Sequence, residues 1–190
     1  MAAQGRAAVG HESDARPHHT SRSTYLRQCR ADDNQIDQDE LFDCHVNNCE
    51  NRDMHPVVQE EVSGCGIAAC AALAGLSYAD ARRTANRIGI HAEDPTLWSD
   101  SAHVRTLLST LGISTAQEET PFVSWQSLPD KALLAIKWHL EGGKPFWHWV
   151  VFVRQGEDTF VLDSKKGLKS PVRRDFGRMK PKWYLEVPTG

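Results

Sequence analysis

A cysteine stands between two glycines in the stretch from Gln59 to Cys70, QEEVSGCGIAAC. A thiol that only fills a core gains nothing from this setting, because flanking glycines expose the backbone and weaken packing. The alanine-rich run that follows predicts a helix that begins at Cys65. The amide groups and dipole at a helix N-terminus favour negative charge, so a thiol there shifts towards thiolate, its nucleophilic form. Cys65 is therefore the candidate nucleophile, with a structural thiol as the alternative.

The same helix start could hold the oxyanion of a tetrahedral intermediate, because its first amides point outwards. Gly64 and Gly66 would leave room for a substrate backbone. Gln59 lies six positions before Cys65, and its side-chain amide could donate a second hydrogen bond to the same oxyanion. Cys70 lies further inside the helix and is expected to be a packed thiol.

A nucleophilic cysteine also needs a base and a group that orients the base. Two histidines lie near predicted strands: His139 ends the segment ALLAIKWH, and His148 opens the segment HWVVFVR. Either could be the base. The carboxylate that would orient it is sought on the neighbouring strand, TFVLD, which ends in Asp163.

The geometry of a hairpin favours His148. If residues 155–158 form the turn, Arg154 faces Thr159, and Asp163 then lies diagonally across from His148 on the same face of the sheet. Across this diagonal the two side chains can meet, and the carboxylate can then fix the tautomer of the imidazole. A slip of one residue would turn Asp163 to the opposite face, and Asp163 would then only begin the following turn.

The elements that must position these residues are helices first and strands afterwards. Three helical segments are predicted: GIAACAALAGL closed by Gly75, SYADARRTANRI with Ser77 as N-cap, and SDSAHVRTLLSTLGI ending at Gly112. After Thr120 four segments are typical of strands: ALLAIKW, HWVVFVR, TFVLD and KWYLEV, separated by the turn signals EGGKP and QGED. Helices followed by antiparallel strands predict an α+β architecture.

Other aromatic and histidine side chains are given structural roles. Alternation along HWVVFVR sends Trp147 and Trp149 to the face opposite His148, where we expect core aromatics beneath the helices. His91 and His103 are expected at helix ends or on the surface. The basic run KKGLKSPVRRDFGRMKPK predicts a solvated surface or a site for an acidic partner.

The first part of the chain has a different composition. Residues 1–54 are polar with almost no periodic apolar positions, which predicts a flexible or disordered extension. Residues 55–190 carry the apolar segments of one compact domain. Met54 as the true translation start is the alternative interpretation of the boundary.

Composition and charge limit the classes of partner and the cell compartment that we expect for this protein. With 22 basic and 25 acidic residues the formal charge is −3, which does not favour nucleic acid. The sequence shows no apolar run of membrane-span length and no secretory h-region, so we expect a cytoplasmic protein without a membrane span. The five cysteines are an odd number and are expected to be reduced. Because Cys44, His45, Cys49 and His55 lack a paired Cys-x-x-Cys pattern, we predict neither a metal nor another cofactor.

The ordered set of residues resembles a known family. Gln59 followed after five residues by CGIAA, then HWVVF and VLDS, is similar to papain-like cysteine peptidases, in particular the bacteriocin-processing peptidases that recognise double-glycine leaders and their stand-alone relatives. The resemblance covers roughly residues 57–163. It implies a papain-like fold, with a nucleophile at a helix N-terminus packed on a C-terminal antiparallel sheet. It also implies Gln59 as the oxyanion side chain, Cys65 as nucleophile, His148 as base and then acid, and Asp163 as the orienting residue.

The implied activity is that of a thiol hydrolase, which cleaves an amide bond in a peptide or protein through a thioester. The chain departs from the leader peptidases because it carries neither the transporter's membrane spans nor its phosphate-binding loop. Ser164 stands where relatives commonly have proline. A deamidase or acyltransferase would use the same thioester chemistry. The non-enzymatic alternatives are an inactive peptide-binding module and an interaction protein that uses residues 1–54.

Overall fold

The computed structural model describes residues 54–188, in which three α-helices precede a six-stranded antiparallel sheet. The predicted α+β architecture is therefore confirmed for this part of the chain. The predicted flexible extension, Met54 apart, lies outside the described residues, as do Cys44, His45 and Cys49. The helices are α1 (Cys65–Ala74), α2 (Tyr78–Arg87) and α3 (Ala102–Thr110), and the strands are β1 (Thr120–Pro121), β2 (Lys131–Glu141), β3 (Lys144–Gln155), β4 (Asp158–Asp163), β5 (Val172–Arg173) and β6 (Pro181–Glu186).

Helix α1 is buried along its whole length. Half of its ten residues are alanine, so neighbouring elements can approach it closely without leaving cavities. The helix begins at Cys65, as the sequence predicts. It ends where Gly75 adopts a left-handed conformation with φ 64°, a conformation that glycine reaches without steric cost.

Helix α2 begins as predicted, because the hydroxyl of Ser77 accepts a hydrogen bond of 3.1 Å from the backbone amide of Asp80. Helices α2 and α3 both pack against α1. The helical layer therefore holds the N-terminus of α1, and with it Cys65, against the sheet.

The strands lie in the order β1–β6–β2–β3–β4–β5, so β2 and β3 are central. The pairing of β3 with β4 has Arg154 opposite Thr159 and Val150 opposite Asp163. This is the register predicted from a turn at residues 155–158. Strand β2 carries an irregularity between Ile136 and His139, where Lys137 has φ 56°.

Both faces of the sheet are covered by apolar side chains. One face packs on the helices and includes Trp147 and Trp149, which confirms their predicted place in the core. The other face holds a second cluster around Phe152 and Met179. No helix among residues 54–188 is both long and apolar enough to cross a membrane.

Candidate active site

The β3–β4 register brings His148 and Asp163 into direct contact. His148 Nε2 lies 2.7 Å from Asp163 Oδ1, a short hydrogen bond between a ring nitrogen and a carboxylate. The side chain of His148 is 16% exposed, whereas that of Asp163 is completely buried. The pair therefore lies at the edge of the interior, where the imidazole is partly exposed to solvent and the carboxylate is not.

Asp163 has a partner for each of its oxygens. Oδ1 also accepts a hydrogen bond of 3.0 Å from the backbone amide of Lys165, and Oδ2 accepts one of 2.7 Å from the guanidinium of Arg173. Burial alone would raise the pKa of Asp163, but the hydrogen bonds and charges of His148 and Arg173 hold that pKa well below its usual range. The carboxylate is therefore ionised at neutral pH.

The imidazole of His148 also interacts with the thiol of Cys65. Burial lowers the pKa of His148, but its hydrogen bond with Asp163 and its electrostatic interactions with Cys65 and Asp163 outweigh burial and raise the pKa to about 9. Because Nε2 is engaged by Asp163, Nδ1 is the ring nitrogen that remains for the sulfur. His148 is thus hydrogen-bonded to Asp163 and interacts electrostatically with Cys65.

The N-terminus of α1 carries no side-chain cap, and Gly64 occupies the N-cap position. The first amides of a helix have no acceptor within the helix, so an uncapped start offers donors to an oxyanion. This arrangement agrees with the predicted use of the helix start.

The sequence suggested that the two glycines beside Cys65 leave room for a substrate backbone, but the structure gives a different reason for glycine at these positions. A side chain at Gly64 would collide with the hydroxyl of Tyr78, and one at Gly66 would collide with the ring of His103 and come within 2.9 Å of Val104. The space that each glycine leaves is therefore filled by the protein itself. They allow α2 and α3 to approach the nucleophile helix closely.

Gln59 lies in the site, but its amide is engaged. Its Nε2 donates to the carbonyl oxygens of Glu61 at 2.9 Å and Val62 at 2.8 Å, and its Oε1 accepts a hydrogen bond of 3.1 Å from the hydroxyl of Ser164. The backbone amide of Gln59 also donates to the carbonyl of Ser164. Gln59 therefore ties the loop that precedes Cys65 to the end of β4, directly after Asp163.

Within the described part of the chain, no hydrogen bond or ion pair joins His91, His139 or Cys70 to His148 or Asp163. His139 is exposed and bonds to the carbonyl of Lys137 and to Glu141, and His91 is exposed as expected. Cys70 is fully buried, and burial raises the pKa of its thiol far above the ordinary value. These positions match the structural roles predicted for His91 and Cys70.

His103 lies at the start of α3, as the predicted helix-end position requires, but a place on the surface is wrong, because this residue is 5% exposed and packs against Gly66. Burial lowers the pKa of His103 to about 4, although the carboxylate of Asp100 opposes this change. Neither ring nitrogen has a hydrogen-bond partner among the described residues. The apolar residues around His103 in AHVRTLL were the sequence signal for its burial, since His103 precedes Val104 on the buried side of the helix.

Sequence reasoning missed Arg173 and Ser164 as members of the site. Arg173 lies within the basic run interpreted as a solvated surface, and only its pairing through β5 brings it to Asp163. Ser164 was noted only as a replacement for proline. Within residues 54–188 no group of three or more histidine, cysteine, aspartate or glutamate side chains is placed to hold a metal ion.

No protein-family model matches this chain, and no curated protein matches it. The class of the protein is therefore inferred from the α+β fold and from the contacts of Cys65, His148 and Asp163.

Proposed function

We propose that this protein is a papain-like cysteine peptidase, a thiol hydrolase that cleaves an amide bond in a peptide or protein. The observation that carries the proposal is the hydrogen-bonded pair of His148 and Asp163 on two adjacent strands, which interacts electrostatically with Cys65 at a helix N-terminus. A nucleophile, a base and a group that orients the base are the parts that such chemistry requires. The sequence resemblance to papain-like peptidases assigns the same roles to the same three residues.

The proposed reaction begins with the thiolate of Cys65 attacking the carbonyl carbon of the scissile amide. The amides at the start of α1 stabilise the oxyanion that forms. The imidazolium of His148 donates its proton to the leaving amine, and the C–N bond breaks to leave a thioester on Cys65. Water then attacks the thioester with His148 as base, which releases a carboxylic acid and restores the thiol.

Gln59 supports the proposed reaction in one of two ways. As an oxyanion donor it would have to give up one of its bonds to the carbonyls of Glu61 and Val62 when substrate binds. As it stands, it braces the loop before Cys65. Replacing Gln59 with glutamate keeps the size of the side chain but replaces the amide donor with a carboxylate, which is expected to lower kcat if the oxyanion role holds.

Selective alkylation tests the nucleophile. Iodoacetamide at neutral pH should label Cys65 much faster than Cys70, because Cys70 is fully buried and its thiol stays protonated. Peptide mapping by mass spectrometry measures both sites in one sample, so Cys70 is an internal control on the same helix. Replacing His148 with alanine should slow the labelling of Cys65. Equally slow labelling of the two cysteines would contradict the proposal.

Turnover is tested with a peptide library and the intact masses of the products. Cleavage gives two shorter peptides, deamidation leaves one peptide with a changed side chain, and acyl transfer gives a new conjugate. All three outcomes should disappear in Cys65→Ala. A library that stays intact with the parent protein, despite fast alkylation of Cys65, would leave cleavage unsupported.

A non-catalytic peptide-binding module is the second candidate, because Cys65 is only 2% exposed and the amide of Gln59 is engaged. A substrate would reach the sulfur only after a local movement. This candidate predicts that Cys65→Ala binds a selected peptide as tightly as the parent protein does, and that neither protein turns the peptide over.

An acidic partner at the basic C-terminal surface remains part of the proposal. Some of this charge is neutralised within the molecule, since Arg173 pairs with Asp163 and Asp175, and Arg174 pairs with Asp158. Electrostatic steering by the remaining lysines predicts a slower association rate at higher salt. An association rate that does not change with salt would remove this idea.

A further inference from the structure

We propose that Arg173 is a positioning residue of this site, which holds the carboxylate of Asp163 so that Oδ1 faces His148. This inference deepens the proposed function and rests on it. Arg173 would act through Asp163 and His148 rather than on a substrate.

The first support is the geometry of the guanidinium. One terminal nitrogen of Arg173 donates to Asp163 Oδ2 at 2.7 Å, while Nε and the other terminal nitrogen donate to the two oxygens of Asp175 at 2.9 and 2.8 Å. The side chain of Arg173 is 13% exposed. A planar guanidinium held on both edges has little freedom to rotate, so Asp175 fixes the direction from which Arg173 meets Asp163.

The second support is that the two oxygens of Asp163 accept hydrogen bonds from different donors. Oδ1 accepts the hydrogen bonds from His148 and from the amide of Lys165, whereas Oδ2 accepts the bond from Arg173. Without Arg173, a buried carboxylate oxygen would lose its partner, and such an oxygen gains by turning towards another donor. That rotation would draw Oδ1 away from His148.

The other charged groups around Asp163 do not replace this contact. Lys137 interacts electrostatically with Asp163, Lys165 and Arg173, and it lies on the irregular part of β2. Lys165 reaches Asp163 through its backbone amide. Among the described contacts, Arg173 is the one cation besides His148 whose side chain bonds directly to the carboxylate.

A purely structural role for Arg173 must be separated from positioning, because Arg173 also pairs with Val161 across β4 and β5. The matched control is Arg174→Met. Arg174 is the next residue, and it pairs with Asp158 where both side chains are more than half exposed. It therefore tests the loss of one positive charge from the same segment without touching Asp163.

The main variants are Arg173→Met and Arg173→Lys, compared with Arg174→Met by steady-state kinetics and by carbon-13 NMR of the Asp163 carboxyl group. For Arg173→Met we expect kcat to fall about ten- to a hundredfold with little change in KM, because small displacements of catalytic groups have effects of this size. The carboxyl group of Asp163 should titrate at higher pH. Arg173→Lys should keep most of the charge effect on that titration, yet remain slower than the parent. Arg174→Met should change neither quantity.

A double-mutant comparison identifies the route of the effect. If Arg173 acts through Asp163, then Arg173→Met should cause no further loss of kcat in an Asp163→Asn background. This background also removes the buried negative charge, so the double variant can fold even if Arg173→Met alone does not. An equal loss in both backgrounds would overturn the inference, as would an unchanged titration of Asp163 in Arg173→Met.

Failure of the proposed function can be told apart from failure of this inference. If the parent protein turns over no peptide, the function fails. The titration of Asp163, and the rate at which iodoacetamide labels Cys65, still report whether Arg173 controls the carboxylate. Variants that leave both of these quantities at the parent values would refute a positioning role.

Discussion

The protonation of His148 predicts a measurable dependence of stability on pH. The pKa of His148 is raised from the ordinary 6.5 to about 9 in the folded protein. A group whose folded pKa is raised stabilises the fold fully below its unfolded pKa, and the contribution is lost as pH rises through the folded pKa. At about 1.4 kcal/mol per pH unit, the interval between 6.5 and 9 amounts to about 3 kcal/mol.

The assay is denaturant unfolding at pH 6.5 and pH 9.5, followed by the fluorescence of the six tryptophans. The free energy of unfolding of the parent should fall by about 2 to 3 kcal/mol more than that of His148→Asn between the two pH values. His139→Asn is the matched control, because the pKa of His139 is also raised, by the Lys137 carbonyl and Glu141, but this side chain is solvent-screened and should change the difference far less. Equal losses in the parent and in His148→Asn would refute the argument that Cys65 and Asp163 hold the proton on His148.

Two further predictions concern the residues that hold the nucleophile in place. Gly66→Ala should destabilise the fold by about 1 to 3 kcal/mol, because the new methyl group would collide with His103. Thermal unfolding measures this loss of stability. Gly177→Ala is the control and should have little effect, because the added methyl group there has open space. Ser164→Ala removes the hydrogen bond to Gln59, so it should lower the free energy of unfolding by about 1 kcal/mol and slow the alkylation of Cys65. An alkylation rate equal to that of the parent would show that the contact between Ser164 and Gln59 does not support the thiol.

Local signals in the sequence predicted much of the fold. Gly75 ends α1 because its left-handed conformation is easy for glycine, and Ser77 caps α2 with its hydroxyl. The pairing of His148 with Asp163 could be predicted because a hairpin turn fixes the register of both strands, and register determines which side chains share a face. Each of these inferences depends on residues close together in the chain.

The contacts that the sequence did not predict join distant segments. Arg173 reaches Asp163 only because β5 returns to β4, and the residues between them carry no signal that distinguishes a buried arginine from a solvated one. The crowding at Gly66 likewise depends on how α3 crosses α1, which periodicity within either helix does not specify. Burial of His103 follows from the same crossing.

The energetic cost of the site favours a functional role for it. Two large clusters of apolar side chains fill most of the interior on the two faces of the sheet, and a buried ion pair is often no more stabilising than well-packed apolar side chains. Asp163 is nevertheless buried and ionised, with His148 on one side and Arg173 on the other. A domain that needed only stability could fill these positions with the aliphatic residues found elsewhere in β3 and β4. An imidazole whose proton is held by a buried carboxylate, next to a thiol at an uncapped helix start, is better explained by chemistry at that thiol.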